Sequence, residues 1–133
     1  MASAGCRKNA DVPVLDNTGV TGKYVSSEGK EGDAVWGTRG RWTKLTGSLN
    51  NEPLTLAILD HPTNVGFPTY WHARGYGLFA ANNLGQKAMS GGKDELNFTL
   101  AAGKSVTFRH EILILNGAAT PADVETYYAA FAK

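Results

Sequence analysis

The sequence predicts an all-β protein: an antiparallel β-sandwich with one C-terminal α-helix. Three observations carry this expectation. The 16 glycines and 5 prolines among 133 residues supply the many turns that short strands require. Apolar and polar residues alternate in several short runs, Leu54, Leu56 and Ile58 among them, which gives each strand one apolar face. Only near the C-terminus does the apolar spacing become helical. With 133 residues and 42% apolar content the chain has material for one core. One domain is therefore expected over residues 17–133, behind a flexible leader over residues 1–16.

Taken in order, residues 1–22 are polar and turn-rich, with Asp16-Asn17-Thr18-Gly19 as a turn signal. Lys30–Gly40 reads as a glycine-rich loop pinned by Trp36. A strand is expected over Arg41–Thr46, a turn at Asn50-Asn51, and a second strand over Leu54–Asp60. Pro62, Gly66 and Pro68 end that strand and force an irregular connection. Thr69–Arg74 and Tyr76–Ala81 follow as strands, with Gly75 as a bulge or bend between them. Glu95–Leu100 alternates through Leu96, Phe98 and Leu100, and Ala102-Gly103 turns the chain into Ser105–Leu115, the longest expected strand. Thr120 can cap a helix, Pro121 suits its first position, and Asp123 suits the dipole of its first turn. Val124, Tyr127, Tyr128 and Phe131 then share one stripe, so a helix over residues 121–132 is expected to pack on a sheet.

Composition excludes several classes of function. The 13 basic and 12 acidic side chains leave a formal charge of +1, and no basic run exceeds Arg7-Lys8. A nucleic-acid partner is not expected, because phosphate neutralisation needs concentrated basic charge. No apolar stretch approaches the roughly 20 residues that span a bilayer, so a soluble protein with no membrane partner is expected. Ala4-Gly5-Cys6 resembles the end of a lipoprotein signal, yet the apolar run of about 7–15 residues that such a signal needs is missing upstream. Cys6 is the only cysteine, which leaves no intramolecular disulfide and no cysteine-rich zinc site.

Strand alternation sorts the remaining chemistry by face. In Thr69–Arg74, the residues Tyr70, His72 and Arg74 share one face and Trp71 lies on the other. An aromatic ring, an imidazole and a guanidinium in a row suit an oxygen-rich ligand, the ring stacking on a sugar and the others bonding hydroxyls or a carboxylate. The same pattern also describes a solvated face backed by a buried tryptophan. Asp60-His61-Pro62 ends a strand and reads either as a histidine oriented by a carboxylate or as a turn in which Asp60 bonds backbone amides. His110 shares a face with Val106, Phe108, Ile112 and Ile114 and reads as a satisfied core or edge histidine. His61, His72 and Glu28 lack a metal-ligand spacing, so no metal and no cofactor are expected. Trp36-Gly37-Thr38-Arg39-Gly40-Arg41-Trp42 interleaves arginine with tryptophan, as ligand clefts and loop staples both do.

Longer motifs carry a resemblance. Ser27-Glu28-Gly29, Val35-Trp36-Gly37-Thr38-Arg39 with Trp42, Asp60-His61-Pro62, the run from Trp71 to Asn82, and Gly103–Arg109 together resemble a bacterial family labelled methane oxygenase PmoA, or PmoA-like, of unknown function. The label does not describe this chain, which has no membrane span. The family looks distantly like the galactose-mutarotase-like β-supersandwich, which implies carbohydrate binding or conversion.

By that resemblance His72 and His61 would be acid/base groups, Arg74 and Arg39 would hold oxygen atoms, and Asp60 or Glu28 would orient or relay protons. A non-catalytic glycan-binding module would use Tyr70, Trp36 and Arg74 instead. Members of the family are about twice as long, so this chain is expected to correspond to the C-terminal half of a sandwich. A half-sandwich exposes an apolar face or a bare edge, and is expected to self-associate as a homo-oligomer or to pair with a missing N-terminal half. Relatives are often exported, which leaves the periplasm open as a location.

Overall fold

A computed structural model of the chain describes residues 22–133. The leader, the Asp16–Gly19 turn and Cys6 lie outside the described residues. Within them the chain forms β1 (Lys23–Ser26), a 3-10 turn (Gly32–Val35), β2 (Trp42–Leu49), β3 (Glu52–Asp60), β4 (Tyr70–Arg74), β5 (Leu78–Asn82), a short α1 (Gln86–Met89), β6 (His110–Asn116) and α2 (Pro121–Phe131). The architecture is mostly β, with two antiparallel sheets and one C-terminal helix, as the alternation predicts.

The larger sheet has the order β1-β2-β3-β6, and every pair in it is antiparallel. A two-residue hairpin joins β2 to β3: Leu49 pairs with Glu52, and Asn50 and Asn51 have φ of 52° and 65°. Asparagine tolerates this left-handed conformation, and a turn of that hand matches the twist of its strands. One face of the sheet carries Trp42, Ala57, Leu59 and Leu113, and on it lies α2 through Val124 and Tyr128. The helix begins with a capping box, in which the Asp123 N–H donates to Thr120 Oγ1 and Thr120 N–H donates to Asp123 Oδ2. Glu125 fastens it sideways, accepting from Arg41 at 2.6 Å and from Trp42 Nε1 at 2.9 Å.

The opposite face of the large sheet meets the β4-β5 ribbon. Tyr24 of β1, Val35 of the 3-10 turn, and Trp71 and Ala73 of β4 form this second core, with Leu45, Ile58, Phe79 and Ala81 against it. Trp71 is fully buried, and its indole N–H donates to Gly40 O. Its backbone also bridges the loop, donating to Thr38 O and accepting from Gly37 N–H.

The structure departs from the sequence expectation at several points. Residues 95–109 carry no strand, although Leu96, Phe98, Leu100, Val106 and Phe108 alternate; β6 starts only at His110. Alternation marks a side chain's face but cannot supply a neighbour, and among the described residues no ladder reaches this segment. β1 escaped the sequence reading because it is four residues long and lies beside a glycine-rich stretch. Tyr127 is 44% exposed, so the buried stripe of α2 is the narrower i, i+4 pair Val124 and Tyr128, with Phe131 at its margin.

Because Trp71 fills the space between the sheets, Trp71→Ala should lower unfolding stability by about 3–5 kcal/mol. Equilibrium denaturation in guanidinium checks this; a loss under about 1 kcal/mol would mean that the two sheets do not depend on this packing.

Candidate functional site

The sequence-marked residues fall into three separate neighbourhoods. The first is the outer face of β4, turned away from the second core. Trp36, at the end of the 3-10 turn, folds back over this face, so that His72 meets its ring edge-on with centroids 4.0 Å apart. Arg74 lies over the Trp36 ring with its guanidinium carbon 4.1 Å from the centroid. All three side chains are half-buried. Arg74 forms no ion pair among the described residues, so its donors are open to a ligand. Burial, and secondarily the Arg74 charge, hold the His72 pKa below its usual value. At neutral pH His72 is therefore a neutral imidazole with both a donor and an acceptor nitrogen.

Arg39 and Tyr70 adjoin this strip but are largely engaged with the protein. Arg39 Nε donates to Pro68 O at 2.9 Å, and Nη2 donates to Gly66 O and Phe67 O, both at 3.3 Å. It thus clamps the loop that precedes β4, and its guanidinium lies 5.3 Å from the Tyr70 ring centroid. The Tyr70 hydroxyl donates to Asp94 Oδ2, and Asp94 also sits 3.9 Å from Arg39 Nη1. Asp94 carried no sequence signal: it lies in an irregular segment, and only the fold brings it to β4.

The second neighbourhood is Asp60, at the end of β3 and wholly buried. Its Oδ1 accepts from Asn64 Nδ2 at 2.7 Å and from Asn83 Nδ2 at 2.9 Å, and its Oδ2 accepts from the Thr69 backbone N–H at 2.9 Å. His110 Nε2 completes the set at 3.3 Å from Oδ1. The cross-strand register pairs Asp60 with His110, so their side chains emerge on the same face. Gly66 makes this arrangement possible from the loop side: its φ is +78°, and a Cβ there would lie 2.1 Å from Asn83 O. Sequence reasoning put His110 on the right strand but did not join it to Asp60, because strand register is not written in either segment alone.

The third neighbourhood belongs to His61. Adjacent strand residues diverge, and His61 points away from Asp60 to meet the Phe131 ring edge-on at 5.1 Å. Its Nδ1 lies 2.8 Å from Thr63 Oγ1 and accepts from Thr63 N–H. Glu28 stands apart from all three groups, exposed in the turn after β1, where it accepts from Ser27 Oγ. Among the described residues no hydrogen bond, ion pair or ring contact joins the side chains of His72, His61 and Asp60 to one another. Among the described residues no group of three or more His, Cys, Asp or Glu side chains could hold a metal ion. No helix of the described residues is long and apolar enough to cross a membrane.

A consequence for stability follows from His72. Its folded-state pKa is lowered, so as pH falls the unfolded chain takes up this proton first, and stability declines. The decline should begin near the unfolded value of about 6.5 and continue until pH has fallen through the lowered folded-state value. Thermal unfolding of His72→Gln should show a shallower fall over that window than the parent chain; equal slopes would remove His72 from the account.

With this geometry in place, comparison with known proteins gives one positive result: the model of the family of unknown function DUF6807 matches residues 4–129. No curated protein and no solved structure matches the chain. The match spans nearly the whole sequence, and the chain belongs to the DUF6807 family.

Proposed function

We propose that this chain is a carbohydrate-binding domain that takes its ligand on the outer face of β4, over Trp36, His72 and Arg74. The observation that carries this reading is the Arg74 guanidinium, without an ion pair among the described residues, held against the Trp36 ring beside a neutral His72. Stacking orients the guanidinium without consuming its donors, so it is ready for the carboxylate or paired hydroxyls of a sugar. The His72 nitrogens add one donor and one acceptor, which suit hydroxyl groups. The resemblance to PmoA-like proteins, and through them to mutarotase-like sandwiches, supports a sugar over other oxygen-rich ligands. Binding is favoured over acid/base conversion at this face because, among the described residues, His72 has a cation and an indole as neighbours and no carboxylate partner.

The test is a glycan array followed by calorimetry on the sugars retained, acidic ones included. Arg74→Ala should weaken binding about tenfold or more, as expected when a charge-assisted hydrogen bond worth roughly 1.5–3 kcal/mol is lost. Trp36→Ala should weaken it as well. Sugars bound equally by both variants and the parent would exclude this face as the site.

A second reading, assembly through β6, has its own observation. Among the described residues β6 ends the large sheet, and Ile112 and Ile114 on it are 69% and 70% exposed. They sit on the face that β4-β5 covers elsewhere, opposite Ile58 and Leu56 of β3. The bond from His61 N–H to Arg109 O sets the ladder parity, so the backbone groups of His110, Ile112, Ile114 and Asn116 face the open edge. A second copy adding its own β6 antiparallel would satisfy those groups and join the isoleucines into one patch. Light scattering on the eluting protein should then report a dimer that Ile112→Lys with Ile114→Lys converts to a monomer. A monomeric parent chain at tens of micromolar would refute assembly by this edge.

A further inference from the structure

We propose that Asp60 and His110 form an acid/base dyad, in which His110 Nδ1 is a general base toward a hydroxyl group held in the hollow beside it. This site is distinct from the β4 face and does not rest on the sugar reading.

The tautomer of His110 follows from its neighbours. Asn83 Nδ2 donates to both Asp60 oxygens, at 2.9 and 3.1 Å, which fixes the amide orientation and leaves Asn83 Oδ1 as an acceptor. His110 Nε2 therefore faces two oxygens, Asn83 Oδ1 at 3.1 Å and Asp60 Oδ1 at 3.3 Å. Only a protonated Nε2 satisfies both, so the neutral ring keeps its lone pair on Nδ1. Among the described residues no protein atom is recorded as a partner for Nδ1.

The carboxylate behind the ring cannot swing away, being wholly buried and held by Asn64, Asn83 and the Thr69 backbone. This is the arrangement in which a carboxylate orients an imidazole and stabilises the imidazolium that forms when it takes a proton. The side chain of His110 is 29% exposed and that of Asp60 is 0% exposed, so the base reaches solvent while its orienting partner does not. His110 also lines a shallow hollow of about 260 Å³ with Ala81, Asn82, Asn83, Leu84 and Phe108.

That lining suits a small uncharged molecule with an apolar body against Phe108 and Leu84, and a hydroxyl or bound water directed to Nδ1. In the step proposed, the O–H bond breaks, its proton passes to Nδ1, and the oxygen keeps the electron pair as a nucleophile. No redox partner is needed. Asp60 is the only ion-pair partner of His110 among the described residues. Tyr128 of α2 also feels the Asp60 charge, and burial above all pushes its hydroxyl pKa up.

Two measurements test the dyad on the whole chain. The first is nitrogen-resolved NMR of the three histidines, where His110 should be the Nε2–H tautomer, combined with carbethoxylation mapped by peptide mass, which should reach His110. The second uses p-nitrophenyl acetate as the probe: water activated by His110 attacks the acetyl carbon, and p-nitrophenolate leaves. His110→Gln should cut the enzyme-dependent rate at least about tenfold, a small part of the 10²–10⁴ that positioned acid/base groups supply. Glu52→Gln, exposed at the opposite end of β3 from Asp60, should leave it unchanged. Asp60→Asn should lower the rate if the chain still folds; if it does not fold, the His110 variant and the tautomer decide alone. An Nδ1–H tautomer, or a His110→Gln rate equal to the parent's, would overturn the proposal.

Discussion

A wholly buried carboxylate is costly unless every lone pair has a donor, and at Asp60 that requirement organises one end of the molecule. Its donors come from four places: Asn64 in the loop after β3, the Thr69 backbone before β4, Asn83 just beyond β5, and His110 at the start of β6. Satisfying one side chain therefore fixes where the ribbon attaches to the large sheet. It also fixes where β6 begins. The loop itself is threaded to suit, with Gly66 against Asn83 O and the Arg39 guanidinium gathering the carbonyls of Gly66, Phe67 and Pro68. Removing a single donor would leave a charge partly unpaired in the interior, so the network behaves as a unit.

Between the sheets the constraint changes from polar to steric. Trp71 is held at its ring nitrogen and at both backbone groups, so β4 cannot slide or rotate on the large sheet without breaking bonds to Gly37, Thr38 and Gly40. The same register turns His72 and Arg74, and the buried Tyr70 with them, away from the second core. Trp36, which leaves the 3-10 turn beside Val35 of the second core, then reaches the outer face. The packed interior thus fixes the shape of the outer face of β4.

Among the described residues the ribbon has two strands against four in the large sheet, and this mismatch accounts for the exposed isoleucines of β6. It also bears on residues 95–109, which alternate like strands yet lie without a ladder. Both features are what a sheet edge looks like when its apolar pattern exceeds the partners available to it.

Local chemistry alone determined a good deal about this protein. Alternation in β2 to β5, the Asn50-Asn51 turn, the punctuation by Pro62, Gly66 and Pro68, and the Thr120-Pro121-Asp123 start of α2 each depend on residues close together in the chain. The sorting of Tyr70, His72 and Arg74 from Trp71 is of the same kind, since a strand's two-residue period needs no tertiary information. What only the tertiary structure decided is which distant residues meet. The meeting of Asp60 with His110, of Arg74 with Trp36, and of Tyr70 with Asp94 joins residues far apart in the chain. The pairing of a strand depends on register, and register is settled by the total burial and hydrogen bonding of both partners, which neither segment encodes by itself. For the same reason the sequence could mark 95–100 and 105–109 as strand-like, while only the fold could show that no described strand pairs with them.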